Sequence, residues 1–295
     1  MISVVIPSYN RRDCVLNLLR DVLAQEGVEF EVIVVDDCSP DDSVEAIRRE
    51  FPEVKLLVNE KNGGPCVTRN RGIREATGDW IVGFDSDVTL PDRKLLAKVR
   101  NAALEHPKAT GFAFRIFKAD GVTDDAPRWW HPVSLANGGK RVFESDYFSG
   151  TAYAFRRNEM ITAGLFPEIL YMHYEEVELA YRILDAGGSI LYHPELTAVH
   201  HANEVSRRSE IQVFYKPRNQ ILLAMSCFPP LHSIAYLAPR MVFQFLKSVR
   251  NLHLNGFCRA IGDAMAKKSQ LPRPRRPLKP STLLRIARLR KQVTP

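Results

Sequence analysis

Four short apolar segments alternate with helical patterns over the first hundred residues, and no other feature constrains the fold as strongly. The segments are rich in Val, Ile and Leu, and they span residues 3–7, 31–35, 54–58 and 80–84. Strands that are apolar along their length are typical of a parallel sheet covered on both faces. Residues 12–25, between the first two segments, carry apolar residues at helical spacing. The alternation therefore predicts an α/β fold with a central, mostly parallel sheet flanked by helices.

Acidic residues follow two of these predicted strands. Asp36 and Asp37 come directly after the second strand, and Asp85, Ser86 and Asp87 follow the fourth. Ligands of parallel α/β sheets bind beyond the carboxyl ends of the strands. Two carboxylates separated by one residue suit Mg²⁺ or Mn²⁺, and such a cation neutralises the charge of a diphosphate. Turns and helix caps are the alternative interpretation, but the position of both clusters favours a ligand site at this edge.

The composition changes near residue 210. Before it we predict a helix at 174–186 and strands at 109–117, 142–156, 189–192 and 196–201. After it, residues 211–295 contain sixteen Lys and Arg but one acidic residue, Asp263, in a chain whose net charge is +7. The first 210 residues are therefore net acidic. Two regions of opposite net charge are expected to have different functions.

An uncharged segment opens this basic extension. Residues 219–239 carry no charge, but Pro229 and Pro230 interrupt them, whereas a membrane span needs about 20 apolar residues in an intact helix. Two amphipathic helices lying at a membrane surface fit the pattern better. A Pro/Arg linker at 273–280 and a short basic helix at 282–291 follow.

The charge of the extension favours an anionic partner. Each Lys or Arg near an anionic lipid surface contributes about 1 kcal/mol to binding. Nucleic acid is the alternative partner for such charge, but the basic segment has no interleaved aromatic residues and its uncharged neighbour is too apolar. We therefore expect an anionic membrane surface and no nucleic acid as partner. The amphipathic helices could instead be buried in a homo-oligomer.

The cysteines and the N-terminal segment indicate the compartment. The five cysteines are scattered, without a CxxC pair, at Cys14, Cys38, Cys66, Cys227 and Cys258. This pattern is typical of reduced thiols. The first residues lack the basic segment and cleavage site of a secretion signal. We therefore expect a cytoplasmic protein that is attached peripherally to the inner face of the cell membrane.

Seven segments, in order, resemble the motifs of the family 2 glycosyltransferases, which have the GT-A fold. They lie at residues 4–11, 34–39, 62–73, 84–87, 148–152, 174–182 and 199–201. The resemblance covers roughly residues 1–205. It implies a catalytic domain over 1–210, with a nucleotide-binding half of about 1–105 and an acceptor-binding half of about 106–210, and it leaves 211–295 as the helical extension.

The resemblance also implies the donor site. It assigns nucleotide contacts to Pro7, Tyr9, Asn10, Arg11, Asp36, Asp37, Asn62, Gly63, Arg69, Asp85 and Ser86. It assigns the metal to Asp85, Asp87 and His201. His200 is the competing candidate, because adjacent strand residues point to opposite faces. The alternative interpretations are a helix cap for Asp36 and Asp37 and a surface ion pair for Arg69.

The remaining assignments concern the sugar and the chemistry. Gly150 and Thr151 resemble the loop that lines the donor sugar and the acceptor, and Trp130 is a candidate to stack on a sugar ring or to fill the core. Glu176 corresponds to the catalytic base, with Glu175 beside it, although the family usually has Glu-Asp at this pair. A solvated helix face is the alternative interpretation for these glutamates.

The resemblance implies an inverting transfer that depends on Mn²⁺ or Mg²⁺. The donor is a nucleotide-sugar, with UDP- and dTDP-sugars both plausible, and the acceptor is a hydroxyl of a lipid-linked or polysaccharide precursor. A non-catalytic module that binds sugar nucleotides or lipids is the alternative. A nucleotidyltransferase would carry a Gly-rich basic loop after the first strand, and residues 7–10 are not one.

Overall fold

A computed structural model describes residues 1–201, 209–271 and 277–291. The strands are β1 Ile2–Ser8, β2 Phe30–Asp36, β3 Lys55–Val58, β4 Trp80–Phe84, β5 Val88–Thr89, β6 Gly111–Lys118, β7 Phe143–Ser145, β8 Ala152–Arg156 and β9 Ile190–His200. The helices are α1 Arg12–Leu23, α2 Ser43–Glu50, α3 Pro65–Glu75, α4 Leu95–Glu105, α5 Leu135–Gly138, α6 Arg157–Thr162, α7 Glu175–Asp185, α8 Ser209–Cys227, α9 Pro230–Arg250, α10 Leu254–Lys267 and α11 Pro280–Lys291.

These strands form one sheet in the order β3-β2-β1-β4-β8-β6-β9-β5, with β7 beside β9. The pairs β3–β2, β2–β1 and β1–β4 are parallel, as the first hundred residues predict. Beyond β4 the sheet is mixed, because β8 runs antiparallel between β4 and β6, while β6 and β9 are parallel. Six of the described strands therefore run in one direction, and β5, β7 and β8 run against them.

Two strand predictions need correction. The segment predicted as one strand over 142–156 is two strands, β7 and β8, separated by residues 146–151. The two strands predicted at 189–192 and 196–201 are one, β9. Its register against β6 jumps between Phe114, which pairs with His193, and Arg115, which pairs with Thr197. A bulge thus accommodates Pro194, which cannot donate a ladder hydrogen bond.

The sheet is covered on both faces. Val4 and Ile6 pack with α1, α2 and α4 in one hydrophobic cluster. Val5 points to the other face and packs with residues of α3, α6 and α7. Alternation along one strand therefore places two helical layers around a buried sheet, which fixes the carboxyl ends of β1, β2 and β4 at a common edge.

The helical extension packs onto this α/β body. In α8, residues 217–224 are all buried, so every side of the helix is covered over two turns and this part does not lie at a surface as the amphipathic interpretation expects. The basic helix α11 contacts the body through Arg285 with Glu144 and Arg290 with Asp146. Part of the basic charge therefore faces acidic residues of the chain itself. Within the described residues, every helix is too short or too polar to cross a membrane.

The predicted linkers fall mostly outside the described residues. The segment that joins the two predicted domains includes residues 202–208, and the Pro/Arg linker at 273–280 includes residues 272–276. The domain boundary near 210 therefore stays a prediction.

Candidate active site

The two aspartates after β4 lie in different environments at the carboxyl edge. Arg69, a buried residue of α3, donates to Asp85 Oδ1 at 2.6 Å. Burial would raise the pKa of Asp85, but the charge and hydrogen bond of Arg69 hold that pKa below its usual value, with help from Arg128 and His200. Asp85 is therefore ionised and already paired with a cation of the chain.

Asp87 contacts Arg11 and His200. The Nη1 atom of Arg11 lies 2.5 Å from Asp87 Oδ2. The same oxygen is 3.8 Å from His200 Nε2. His200 Nδ1 lies 2.9 Å from a carboxylate oxygen of Asp125, an arrangement that orients the other ring nitrogen towards Asp87. Asp87 thus shares its surroundings with one guanidinium and one imidazole.

The structure separates the two histidines that are candidate metal ligands. The side chain of His201 contacts Thr89 Oγ1 at 2.9 Å and not Asp87, although the backbone N–H of His201 donates to the Asp87 carbonyl. His200 and His201 are consecutive, so their side chains leave the strand on opposite sides. Of the two, His200 is the one whose ring approaches the Asp87 carboxylate, at 3.8 Å.

These residues fit a divalent cation. A carboxylate oxygen of Asp87 and the oriented Nε2 of His200 are chemically suitable donors, and the second carboxylate of the motif, Asp85, lies at the same edge. Arg11 and Arg69 form ion pairs with these two carboxylates. The edge therefore carries negative charge that a bound cation can also compensate.

The aspartates after β2 organise a loop. Asp36 accepts hydrogen bonds from the backbone and side chain of Ser39. Asp37 accepts from Asn59 and from the backbone N–H groups of Gly63 and Gly64, at 2.7 to 3.0 Å. Both carboxylates are buried, so they hold the loops after β2 and before α3 together. Neither carboxylate caps α2, because Asp36 and Asp37 bond to these partners and Asp42 is the residue that precedes the helix.

The other predicted nucleotide contacts surround this loop. Pro7 lies in β1, Tyr9 is exposed, and Asn10 has a positive φ of 50° and donates from its backbone to Ser39. Asn62 accepts from the Tyr171 hydroxyl. The structure therefore collects them at the carboxyl ends of β1 and β2, while Ser86 is buried beside Asp85.

The acidic pair of α7 lies across from Asp85. Glu175 is buried, with 4% of its surface exposed, and its Oε1 is 3.6 Å from Arg69 Nη1. Burial and the charge of Glu176 raise the pKa of Glu175 well above its ordinary value, and Arg69 only partly opposes this. Glu176 is more accessible, and its Oε1 accepts from the Gly150 N–H at 3.2 Å.

Gly150 lies between the aspartate motif after β4 and the glutamate pair of α7. A side chain at this position would place its first carbon 2.8 Å from Glu176 Oε1 and 3.0 Å from Arg69 Nη2. Arg69 in turn reaches Asp85 and the Gly150 carbonyl. One guanidinium and one glycine therefore link the aspartate motif after β4 with the glutamate pair of α7.

Two predicted sugar-loop residues have structural contacts. Thr151 is buried, and its carbonyl accepts the Asp85 N–H at 3.0 Å. Trp130 stacks on Tyr147 at 5.8 Å and packs against Tyr174. Trp130 is therefore part of an aromatic cluster beside the start of α7 and is half-buried there.

Sequence reasoning missed four residues that act on this site. Asp125 orients His200 from a stretch with no regular pattern, and Arg128 lies near enough to Asp85 to lower its pKa. Arg218 and Asn219 of α8 bind the turn that precedes Glu175. The only signal in the sequence is that Arg218 is the last charge before an uncharged segment.

The comparisons agree with this architecture. The family model described as Glycosyl transferase family 2 matches residues 3–163, more than half of the chain. The chain therefore belongs to glycosyl transferase family 2, and the prediction of the family and of its GT-A fold is confirmed.

Curated relatives match a limited segment. The succinoglycan biosynthesis protein ExoO of Rhizobium meliloti is 43% identical over 94 residues, which are 31% of this chain and 27% of ExoO. The putative teichuronic acid biosynthesis glycosyltransferase TuaG of Bacillus subtilis is 34% identical over 90 residues, 30% of this chain and 36% of TuaG. The matched part thus spans about a third of these relatives.

Solved structures share the fold over most of the chain. S. aureus TarS 1–349 in complex with UDP-GlcNAc superposes with a TM-score of 0.64 at 20% identity, covering 90% of this chain and 81% of that one. The mannosyltransferase PcManGT from Pyrobaculum calidifontis, in complex with GDP-Man and Mn²⁺, gives 0.58 at 19% identity, with 97% and 79% covered. At these identities the likeness shows the fold alone.

Proposed function

We propose that the chain is an inverting glycosyltransferase that moves a sugar from a UDP- or dTDP-sugar to a hydroxyl of a glycolipid or cell-surface polysaccharide precursor. The observation that carries the proposal is the link from Asp85 through Arg69 and Gly150 to Glu176. A site for a nucleotide diphosphate needs only the aspartate side of this arrangement. A glutamate held opposite it is what a hydroxyl acceptor requires.

Glu176 is the base in this proposal. It removes the proton of the acceptor hydroxyl, whose oxygen attacks the anomeric carbon from the face opposite the departing nucleotide diphosphate. A positioned base contributes about 10²- to 10⁴-fold to the rate. The Gly150 N–H holds Glu176 Oε1 at 3.2 Å and so fixes the position of the carboxylate that takes the proton in this proposal. Glu175 stays buried against Arg69 and orients that guanidinium.

Asp85, Asp87 and His200 hold the divalent cation in this proposal. When bound, Mn²⁺ or Mg²⁺ neutralises the charge of the diphosphate leaving group. Arg11 reaches the same edge from the loop after β1 and is placed to bind the phosphates. The loops tied together by Asp37 form the wall against which the base and ribose would bind.

The names of related proteins support the class of donor and acceptor. ExoO is named for succinoglycan biosynthesis and TuaG, putatively, for teichuronic acid biosynthesis. TarS is structurally similar and binds UDP-GlcNAc. A UDP-sugar and a cell-envelope polysaccharide precursor are therefore the first substrates to test.

A panel of UDP-, dTDP- and GDP-sugars tests the proposal, with Mn²⁺, Mg²⁺ or EDTA present. We expect binding and slow hydrolysis of one donor with metal, and loss of both with EDTA or in Asp87→Ala. His201→Ala is the matched control and keeps metal dependence, whereas His200→Ala weakens it. Binding of a donor without turnover on any acceptor would favour the non-catalytic module, and no donor signal would reject both.

We also propose that α9 attaches the protein to the inner face of an anionic membrane. The polarity of this helix is inverted, since Gln244 and Ser248 are buried while large apolar residues are exposed. The exposed residues are Leu231, Ile234, Val242, Phe243, Phe245, Leu246 and Val249. The helix contains no acidic residue. Apolar side chains exposed on a helix with Lys247 and Arg250 at its end suit the boundary between acyl chains and anionic head groups.

Flotation with vesicles tests the membrane proposal. We expect the chain to float with phosphatidylcholine vesicles that contain phosphatidylglycerol, and less with phosphatidylcholine alone or at high salt. Val242→Ser/Leu246→Ser/Val249→Ser should abolish flotation, because these residues share one helix face. Leu104→Ser/Val122→Ser removes two exposed apolar residues of the catalytic body and is the matched control. A triple variant that still floats, or a dimer that dissociates in it, would contradict membrane attachment through α9.

A further inference from the structure

The turn before α7 has a strained backbone. Tyr171, His173 and Tyr174 have φ values of 64°, 65° and 71°. None is glycine, and bulky residues rarely adopt this left-handed region, so it persists only where the surroundings hold it. Glu175 follows directly. The start of the helix that carries the acidic pair therefore depends on whatever holds this turn.

Two side chains of α8 hold it. Asn219 is fully buried, and its Nδ2 donates to the carbonyls of Leu170, Met172 and His173 at 2.6 to 2.9 Å. Arg218 is also buried and donates to the carbonyls of Ile169 and Leu170. The carbonyl oxygens that this turn leaves without helical partners are thus satisfied from a segment more than forty residues away.

The α8 residues are themselves fixed from the other side. Arg218 Nε donates to Asp263 of α10 at 2.5 Å. Gln220 Nε2 donates to the Tyr174 hydroxyl at 2.6 Å, and the rings of Tyr171 and Tyr215 stack at 5.5 Å. The turn is therefore bound to α8 through both its backbone and its aromatic side chains.

We propose that Arg218 and Asn219 are positioning residues for glycosyl transfer. They hold the turn in the conformation that starts α7 with Glu175 against Arg69 and Glu176 against Gly150. This inference rests on the proposed role of Glu176. The extension thereby does more than attach the protein to a surface, since it completes the geometry of the acidic pair.

Asn219→Leu tests the inference, because it keeps the volume and removes the donors. We expect kcat to fall by about 10²-fold, the effect of displacing a catalytic group by about 1 Å. The donor KM and the stoichiometry of UDP binding should change much less than kcat, because the bonds by which Asp37 holds the nucleotide loops, to Asn59, Gly63 and Gly64, do not involve Asn219. Arg218→Lys keeps the charge but reaches fewer carbonyls, and its kcat should lie between those of Asn219→Leu and the wild type.

Phe257→Ala is the control for stability. It removes a buried ring of α10 that contacts Phe245 and leaves the turn untouched, so it should lower the Tm without lowering kcat per UDP site. Hydrogen exchange at residues 171–176 should rise in Asn219→Leu and not in this control. Where Asn219→Leu does not fold, Asp263→Leu is the second variant, because it removes the half-buried acceptor that fixes Arg218, and the same comparison of kcat with UDP binding applies to it.

Wild-type kcat in a folded Asn219→Leu or Asp263→Leu variant would overturn the inference. So would a loss of kcat in Phe257→Ala equal to that in Asn219→Leu. A Glu176→Gln variant that transfers sugar normally would instead refute the proposed base. The two failures are distinguishable, because hydrogen exchange at residues 171–176 in Asn219→Leu still reports whether Asn219 holds the turn.

Discussion

At the scale of single residues, Glu175 and Glu176 are the same amino acid at adjacent positions but differ in burial and in their partners. Glu175 is buried beside Arg69, and Glu176 faces the cleft beside Gly150. Burial and the charge of Glu176 raise the pKa of Glu175 above its ordinary value of 4.5. The folded chain therefore holds this proton to a higher pH than the unfolded chain does.

This difference predicts a pH-dependent stability. The contribution of the protonated Glu175 is complete below pH 4.5, the unfolded value, and is lost as the pH rises through the folded pKa. Glu175→Gln keeps a neutral side chain at every pH. We expect its Tm, measured without donor, to exceed that of the wild type increasingly as the pH rises above 4.5. Parallel Tm curves for the two proteins would show that Glu175 is not buried as a neutral group.

At the scale of secondary-structure elements, the C-terminal helix α11 packs against the catalytic body. Asp146 is fully buried in the loop between β7 and β8, and its Oδ2 lies 2.7 Å from Arg290 Nε. Burial raises the pKa of Asp146, and Arg290 opposes this. The same loop continues to Gly150, so the C-terminal helix stabilises the segment that contacts Glu176.

Removing the contact between Arg290 and Asp146 should destabilise the fold. Arg290→Met leaves the Asp146 carboxylate buried without its cation, which costs about 1–3 kcal/mol in the free energy of unfolding. Asp146→Asn in the same chain should recover part of that loss, because the two residues are in contact. Arg288→Met, an exposed arginine on the same helix, is the control and should stay within about 0.5 kcal/mol. Urea unfolding measures the three variants against the wild type, and an equal loss of stability in both arginine variants would contradict a stabilising role of the Arg290–Asp146 contact.

Local patterns predicted the parallel strands and both acidic clusters, because apolar strands and strand-end carboxylates are readable over a few residues. They did not separate His200 from His201, since the choice depends on which face of β9 meets Asp87. They also missed Asn219, whose partners lie more than forty residues earlier in the chain. What the sequence hides here is long-range packing, and the inverted polarity of α9 became visible only once its neighbours were known.

At the scale of the whole molecule, the extension and the catalytic body share hydrophobic clusters. Leu223 and Cys227 of α8 pack with Val177 and Tyr181 of α7, and Leu278 before α11 joins them. A second cluster combines Leu170 with residues of α8 and α10. These shared clusters predict that body and extension unfold together.

Thiol labelling during urea unfolding tests this cooperativity. Cys66 is buried in the catalytic body and Cys227 in α8, whereas Cys14, Cys38 and Cys258 are exposed and can be replaced by Ser. We expect both buried thiols to become reactive at the same urea concentration. Labelling of Cys227 at clearly lower urea would show that the extension is an independent domain.

Two substitutions at Glu176 test most directly whether this residue is the base that activates the acceptor. The measurement is the rate of sugar transfer to the acceptor, with UDP-binding stoichiometry recorded on the same samples. We predict that Glu176→Gln binds UDP normally and transfers about 10²- to 10⁴-fold more slowly, while Glu176→Asp, the usual family residue, retains substantial activity. Normal transfer by a folded Glu176→Gln would contradict the account, because the link from Asp85 to α7 would then serve structure alone.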